Sequence, residues 1–217
     1  MTQSFFEPRL DILPTQQRAL WPELSEIPES FVLYGGTAIA LQLGHRESID
    51  FDFFSPMPFD PDDLLSTLPC LQGARVTQRQ QNTLTAIVDR SGDVSLSFFG
   101  LPSIPRLLPP LRSRDNHLQV ASLTDLAGMK VSVIQKRAEC KDYADIAALL
   151  EHGTSLELAL SAGQAIYGDP FNPQIALKAM SYFDDVHGID MQTRKKIQDA
   201  VRRVDLHSLP KIPQSNT

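Results

Sequence analysis

Asp50 and Asp52 stand one residue apart in the stretch GHRESIDFDFFSP, flanked by Ile49, Phe51, Phe53 and Phe54. In a strand, successive side chains point to opposite faces. The two carboxylates are therefore expected on one side, roughly 6.5–7 Å apart along the chain, with Ile49, Phe51 and Phe53 on the other. Two carboxylates on one rigid face suit a hard divalent cation such as Mg²⁺, which takes oxygen ligands and shares them with substrate phosphates. A lone Asp-x-Asp is as a rule the polar face of a half-exposed strand, and the preceding segment gives this pair its meaning. There YGGT sets Gly35, Gly36 and Thr37 at a strand-to-helix turn. Glycine lets a phosphate approach the main chain there, where the first N–H groups of a helix favour an anion. Strand, Gly-Gly-Thr, short helix and acidic strand together bring a triphosphate and a metal to one place.

The surrounding pattern supplies the elements that must position these groups. Phe31 to Tyr34 reads as a strand and Thr37 as the N-cap of a short helix, AIALQLG, closed by Gly44; SIDFDFF is the second strand. DPDDLLSTL starts a helix with Asp60 at the cap and Pro61 at its first position. Residues 74–80, 83–89 and 94–99 read as strands, the last two joined by RSGD as a hairpin. The Pro-rich segment 100–116 is expected to cross the surface without regular structure, and HLQVA adds an edge strand. The first thirty residues form an adaptor with a helix around TQQRALWPEL, anchored by Phe5, Phe6 and Trp21. From Ser122 the period becomes helical: a first helix over SLTDLAGMKVSVIQKRAE, then KDYADIAALLEHG, a third opening on a Thr154/Glu157 capping box, a fourth from Asn172-Pro173, and a last over DMQTRKKIQDAVRRV. The expected class is α+β: a small mixed sheet with flanking helices over 1–121, followed by a helical domain over 122–217 that packs on it.

Composition narrows the function. The chain has 217 residues and a formal charge of −6, which argues against a dedicated basic nucleic-acid binder. No apolar run approaches a membrane span, the N-terminus lacks a secretion pattern, and Cys70 and Cys140 show no metal-ligand spacing. A cytoplasmic, membrane-free protein without structural zinc is expected. Cys140 lacks a nearby His and is not read as a nucleophile. Arg194, Lys195, Lys196, Arg202 and Arg203 read as a solvated terminal helix rather than an RNA grip, and the tail from Ser208 as loose. A kinase or phosphohydrolase is disfavoured, because the chain has no Gly-x-x-x-x-Gly-Lys loop and no His-Asp metal pair.

The stretch GGTAIALQLGHRESIDFDFF resembles the core signature of the DNA polymerase β-like nucleotidyltransferase superfamily. In detail it is similar to the nucleotidyltransferase toxins of the AbiEii/AbiGii abortive-infection type. A second match, LTDLAGMKVSVIQKRAECKDYADIAALL over 123–150, resembles that family's helical segment: a Lys, an Arg seven positions on, then Asp-aromatic-x-Asp. The resemblance implies that Gly35, Gly36 and Thr37 contact nucleotide phosphates and that Asp50 and Asp52 ligate Mg²⁺ or Mn²⁺. It further implies that Lys130 and Arg137 stabilise charge on the triphosphate, that Asp142 and Asp145 orient them or act on the acceptor hydroxyl, and that His45 and Arg46 steer phosphate. The implied reaction moves a nucleoside monophosphate from an NTP to an acceptor hydroxyl, with tRNA as an acceptor and a separate antitoxin protein as a partner. The chain departs from the wider superfamily at one point. The strand expected to carry a third carboxylate reads VSLSFF, with Ser95 and Ser97 instead. Serine cannot act as an ionised base. The site then works with two acids, recruits Asp142 or Asp89, or belongs to a weakened enzyme that binds nucleotide or a protein partner.

Overall fold

The computed structural model describes residues 4–137 and 139–212, so the last five residues of the expected loose tail lie outside it. It divides into two compact units, one reaching to Ile104 and resuming over Pro110–Ala121, the other formed by Pro105–Pro109 and the chain from Ser122.

The first unit holds β1 (Phe5–Phe6), α1 (Thr15–Leu20), β2 (Val32–Tyr34), α2 (Gly35–Leu43), β3 (Phe51–Ser55), α3 (Pro61–Thr67), β4 (Arg75–Gln80), β5 (Thr83–Asp89), β6 (Asp93–Gly100), β7 (Leu111–Ser113) and β8 (Gln119–Val120). The strands form one mixed sheet in the order β1-β7-β8-β2-β3-β6-β5-β4. Its centre follows from period-two alternation: Phe51 and Phe53, Leu84 and Ala86, Leu96 and Phe98 are fully buried on one face. Phe53 stacks on Phe98 with centroids 5.1 Å apart, and Trp21 lies against Phe51 at 6.5 Å. Trp21 also donates from Nε1 to Asp115 at 2.7 Å, fixing the N-terminal segment to the turn after β7.

The sheet is larger than the sequence pattern suggests. Part of the Pro-rich segment forms β7, which takes β1 as a parallel partner on one side and β8 on the other. The HLQVA strand is therefore interior, paired with β2 as well as β7, because the Ala121 N–H and the Leu33 carbonyl extend the ladder. Phe5 is 41% exposed on the edge strand and does not anchor the adaptor; Trp21, 2% exposed, does.

The second unit is helical, with α4 (Leu123–Val133), α5 (Cys140–Glu151), α6 (Leu156–Tyr167), α7 (Pro173–Ser181) and α8 (Met191–Arg203). Ser122, Asn172 and Asp190 cap α4, α7 and α8 through side-chain oxygens. The α6 cap is Ser155, which accepts from the Leu158 N–H at 3.1 Å, not Thr154. Thr154 instead donates its N–H to the Leu149 carbonyl, tying it to the end of α5. Helices α4 and α6 approach so closely that a β-carbon on Gly128 would lie 2.7 Å from Ala162 main chain. Tyr143 on α5 is buried, and its hydroxyl reaches the Ala179 and Tyr182 carbonyls at 3.1 and 3.3 Å. No described helix is long and apolar enough to cross a membrane.

Candidate active site

In the first unit the site is built where β2 turns into α2 beside β3. Gly35 has φ +74°, a conformation that favours glycine, and starts α2 directly from the last residue of β2. The helix therefore begins three residues earlier than a Thr37 cap would place it. Tyr34 occupies the cap position, and its side chain makes no capping hydrogen bond. Gly36 follows in that turn, half-buried. Thr37 is buried, and its hydroxyl lies 2.8 Å from Ser48 Oγ and donates to the Asp50 carbonyl. Its side chain thus fixes the approach to β3.

Asp52 projects toward this turn. Register sets it opposite Tyr34 on β2, and a β-carbon built on Gly35 would lie only 2.9 Å from Asp52 Oδ2. The carboxylate thus occupies space that any side chain at position 35 would claim. Asp50 is exposed and precedes the strand by one residue. The expected alternation also fails at Ile49, which is 51% exposed. The reason is tertiary: Thr37 holds the Asp50 carbonyl, and Gln17 Nε2 donates to the Ile49 carbonyl at 3.1 Å, so residues 49–50 bond to side chains instead of a strand. His45 and Arg46 lie half-buried in the loop after α2, where Arg46 donates to the Glu47 carbonyl at 2.9 Å.

On the other side of Asp52, β6 presents Ser97 as its direct register partner. Asp89 is no substitute acid: it sits at the far end of β5, where its Oδ1 accepts from the Gly92 N–H at 2.9 Å and shapes the hairpin. Among the described residues no three His, Cys, Asp or Glu side chains gather as a metal-binding group. Two carboxylates still fit Mg²⁺ or Mn²⁺, because a small hard cation is commonly held by one or two carboxylates, with water and substrate phosphates filling the remaining positions.

The second unit holds a buried ion cluster. Lys130 Nζ lies 2.9 Å from Asp142 Oδ1 and 2.8 Å from Asp145 Oδ2, with both aspartates fully buried. Arg137 Nε donates to Asp142 Oδ2 at 2.9 Å. The sequence pattern would carry the first helix through to Glu139, but α4 ends at Val133. A turn follows, in which the Lys136 and Arg137 N–H groups both bond the Val133 carbonyl. That turn brings Arg137 back to Asp142. Burial alone would raise the Asp142 carboxyl, but Arg137 and Lys130 more than offset it and hold the group below its ordinary value. Lys130, Arg137, Asp142 and Asp145 are thus brought together, and Asp142 is committed to two cations.

Asp125 has a larger role than its first-turn position suggests. It is 1% exposed and accepts from the Leu107 and Leu108 N–H groups at 2.8 and 3.1 Å and from Ser122 Oγ at 2.6 Å, while burial raises its carboxyl. The clue in the sequence was RLLPP, a segment without regular structure whose N–H groups require acceptors.

Comparison with known proteins gives this arrangement a context. A family model described as "Nucleotidyl transferase AbiEii toxin, Type IV TA system" matches residues 18–208. An uncharacterized protein of Aquifex aeolicus strain VF5 is 32% identical over 162 residues, spanning 73% of this chain and 76% of its own. The chain is also similar to the crystal structure of a nucleotidyltransferase from H. pylori, described there as putative, with TM-score 0.56 and 16% identity over 86% of this chain and 92% of that one. MenT4, a nucleotidyltransferase toxin of Mycobacterium tuberculosis H37Rv, gives TM-score 0.59 and 15% identity over 89% and 87%. At such identities the two structures establish a common nucleotidyltransferase fold.

Proposed function

This chain belongs to the AbiEii family of nucleotidyl transferase toxins of type IV toxin–antitoxin systems, and on that premise we propose that it transfers a nucleoside monophosphate from an NTP to an acceptor hydroxyl in the cytoplasm. The observation that carries the reading is the Asp52 carboxylate lying against Gly35 at the start of α2. A triphosphate at that helix start meets main-chain N–H groups and the positive end of the helix dipole. Asp50 and Asp52 are the residues that would hold Mg²⁺ or Mn²⁺, which when bound would supply positive charge to the phosphates, and Thr37 keeps Asp50 in place through its carbonyl. The acceptor oxygen forms a bond to the α-phosphorus, the bond from that phosphorus to the bridging oxygen breaks, pyrophosphate departs, and the hydroxyl proton is released to solvent. Within the second unit, Asp142 and Asp145 hold Lys130, and Asp142 also holds Arg137, so this cluster acts as a positioning group for its own two cations.

In line with the family, tRNA is the acceptor, transfer arrests growth, and a separately encoded antitoxin restrains it. The test incubates each labelled NTP with Mg²⁺ and total tRNA. Wild type is expected to label RNA and release pyrophosphate, and Asp50→Asn/Asp52→Asn to lose both; no transfer by either protein defeats the reading. Ser97 beside Asp52 favours one second reading, a nucleotidyltransferase fold that binds nucleotide or a protein partner without turnover. Calorimetry showing tight NTP binding with no product on any acceptor selects it.

A further inference from the structure

The sheet face that carries Asp52 differs in kind from the face behind it. Register aligns Asp52 with Ser97, Ser97 with Thr85, and Thr85 with Gln78. A carboxylate, two hydroxyls and an amide thus form one row across β3, β6, β5 and β4. The adjacent row reads Phe54, Phe99, Thr83, Gln80. With strands about 4.8 Å apart, each row runs about 14 Å from β3 to β4. Behind these rows Phe53, Phe98 and Leu84 are fully buried. In front, Phe54, Phe99, Thr83 and Thr85 keep part of their surface in solvent, and Gln78 and Gln80 are exposed. Phe54 stacks on Tyr34 at 5.0 Å and meets Phe99 edge to face at 5.5 Å, so neighbouring rings support both. Along the two rows across these four strands, Asp52 is the one charged residue.

Supported, part-exposed rings beside a row of hydroxyl and amide groups suit unpaired bases. Every base offers a π-face to an aromatic ring and polar atoms at its edge, and sheet faces with this composition bind single strands. The absence of acids beyond Asp52 on these rows removes the repulsion a phosphodiester would otherwise meet. We propose that the face over β3, β6, β5 and β4 is the platform on which a single-stranded nucleic-acid end lies, with Phe54 and Phe99 stacking its bases and Thr85 and Gln78 bonding their edges. This deepens the nucleotidyl-transfer reading and rests on it for one clause only: the terminal hydroxyl is the acceptor delivered toward Asp52.

The test is fluorescence anisotropy of the full chain with a labelled single-stranded oligoribonucleotide, without NTP or divalent metal. Phe99→Ala is expected to weaken binding about tenfold, the loss typical of one stacked base, and Phe99→Trp to retain it. Gln78→Ala, at an exposed position on the sheet edge, is expected to weaken it about threefold. A blunt duplex of the same sequence should bind more weakly and show no dependence on Phe99. Wild-type affinity in both Phe99→Ala and Gln78→Ala overturns the proposal, as does a duplex bound equally well with the same Phe99 dependence. If Phe99→Ala fails to fold, Gln78→Ala and Phe99→Trp decide. The two readings fail separately. Phe99-dependent binding with no transfer onto any acceptor leaves the platform and removes the transferase, whereas transfer onto a small hydroxyl acceptor with no oligonucleotide binding removes the platform alone.

Discussion

Gly35→Ala tests the link between the helix start and the acid. A β-carbon at this position meets Asp52 Oδ2 at 2.9 Å, and the backbone holds φ +74°. The left-handed conformation costs an L-residue about 1–2 kcal/mol, and for a chain of this size each kcal/mol lowers Tm by about 2–4 °C. The backbone effect alone is therefore a fall of about 2–8 °C. The steric effect is separate. Ordinary non-bonded contact is about 3.5 Å or more, so Asp52 Oδ2 must withdraw by about 0.5–1 Å. A displacement of that order in a reacting group lowers turnover by up to about 10²-fold. Gly73→Ala is the control, since Gly73 has the same φ of +74° with nothing within 4 Å of an added β-carbon. Differential scanning fluorimetry should give both variants similar losses of Tm. Transfer of labelled NMP, or Mg²⁺–NTP affinity by calorimetry, should fall in Gly35→Ala alone. Equal activity in the two variants would refute the assignment of Asp52 and Gly35 to one site.

Three further outcomes are expected. Gly128→Ala forces α4 away from Ala162, where the added carbon would sit 2.7 Å from main chain, and should cost at least about 1–3 kcal/mol in urea unfolding. Asp142→Asn leaves Lys130 with Asp145 alone and takes a carboxylate from Arg137, and should cost about 1–3 kcal/mol at pH 7. Because the Asp142 carboxyl is held below its ordinary 3.8, its stabilisation is fully present above that pH and lost as pH falls through the lower folded value. The stability gap between wild type and Asp142→Asn should therefore narrow below about pH 4, measured by urea melts across that range. Asp125→Ala strips the Leu107 and Leu108 N–H groups of their acceptor and should speed their hydrogen exchange selectively, with a loss of about 1–3 kcal/mol.

What the sequence determined by itself is what lies within a few residues of its cause. Alternation over 83–99 located β5 and β6, since Leu84, Ala86, Leu96 and Phe98 share a face whatever else surrounds them. Asp60 and Asn172 announced helix starts because a cap bonds N–H groups only two or three residues ahead. The GGT and IDFD motifs and the Lys, Arg, Asp-x-x-Asp series likewise identified the family, because their spacing is local. Tertiary structure decided wherever a hydrogen-bond partner is distant in the chain. Two-residue β1 carries no period to read and exists because β7 offers it a ladder. Asp50 leaves the strand because Thr37 and Gln17 capture carbonyls at 49 and 50 that β3 would otherwise use. Arg137 leaves the helical path of α4 to join Asp142, and Asp125 turns inward to a segment fifteen or more residues before it. A backbone polar group must be satisfied wherever the fold buries it, and only the folded chain determines which side chain is near enough to do so.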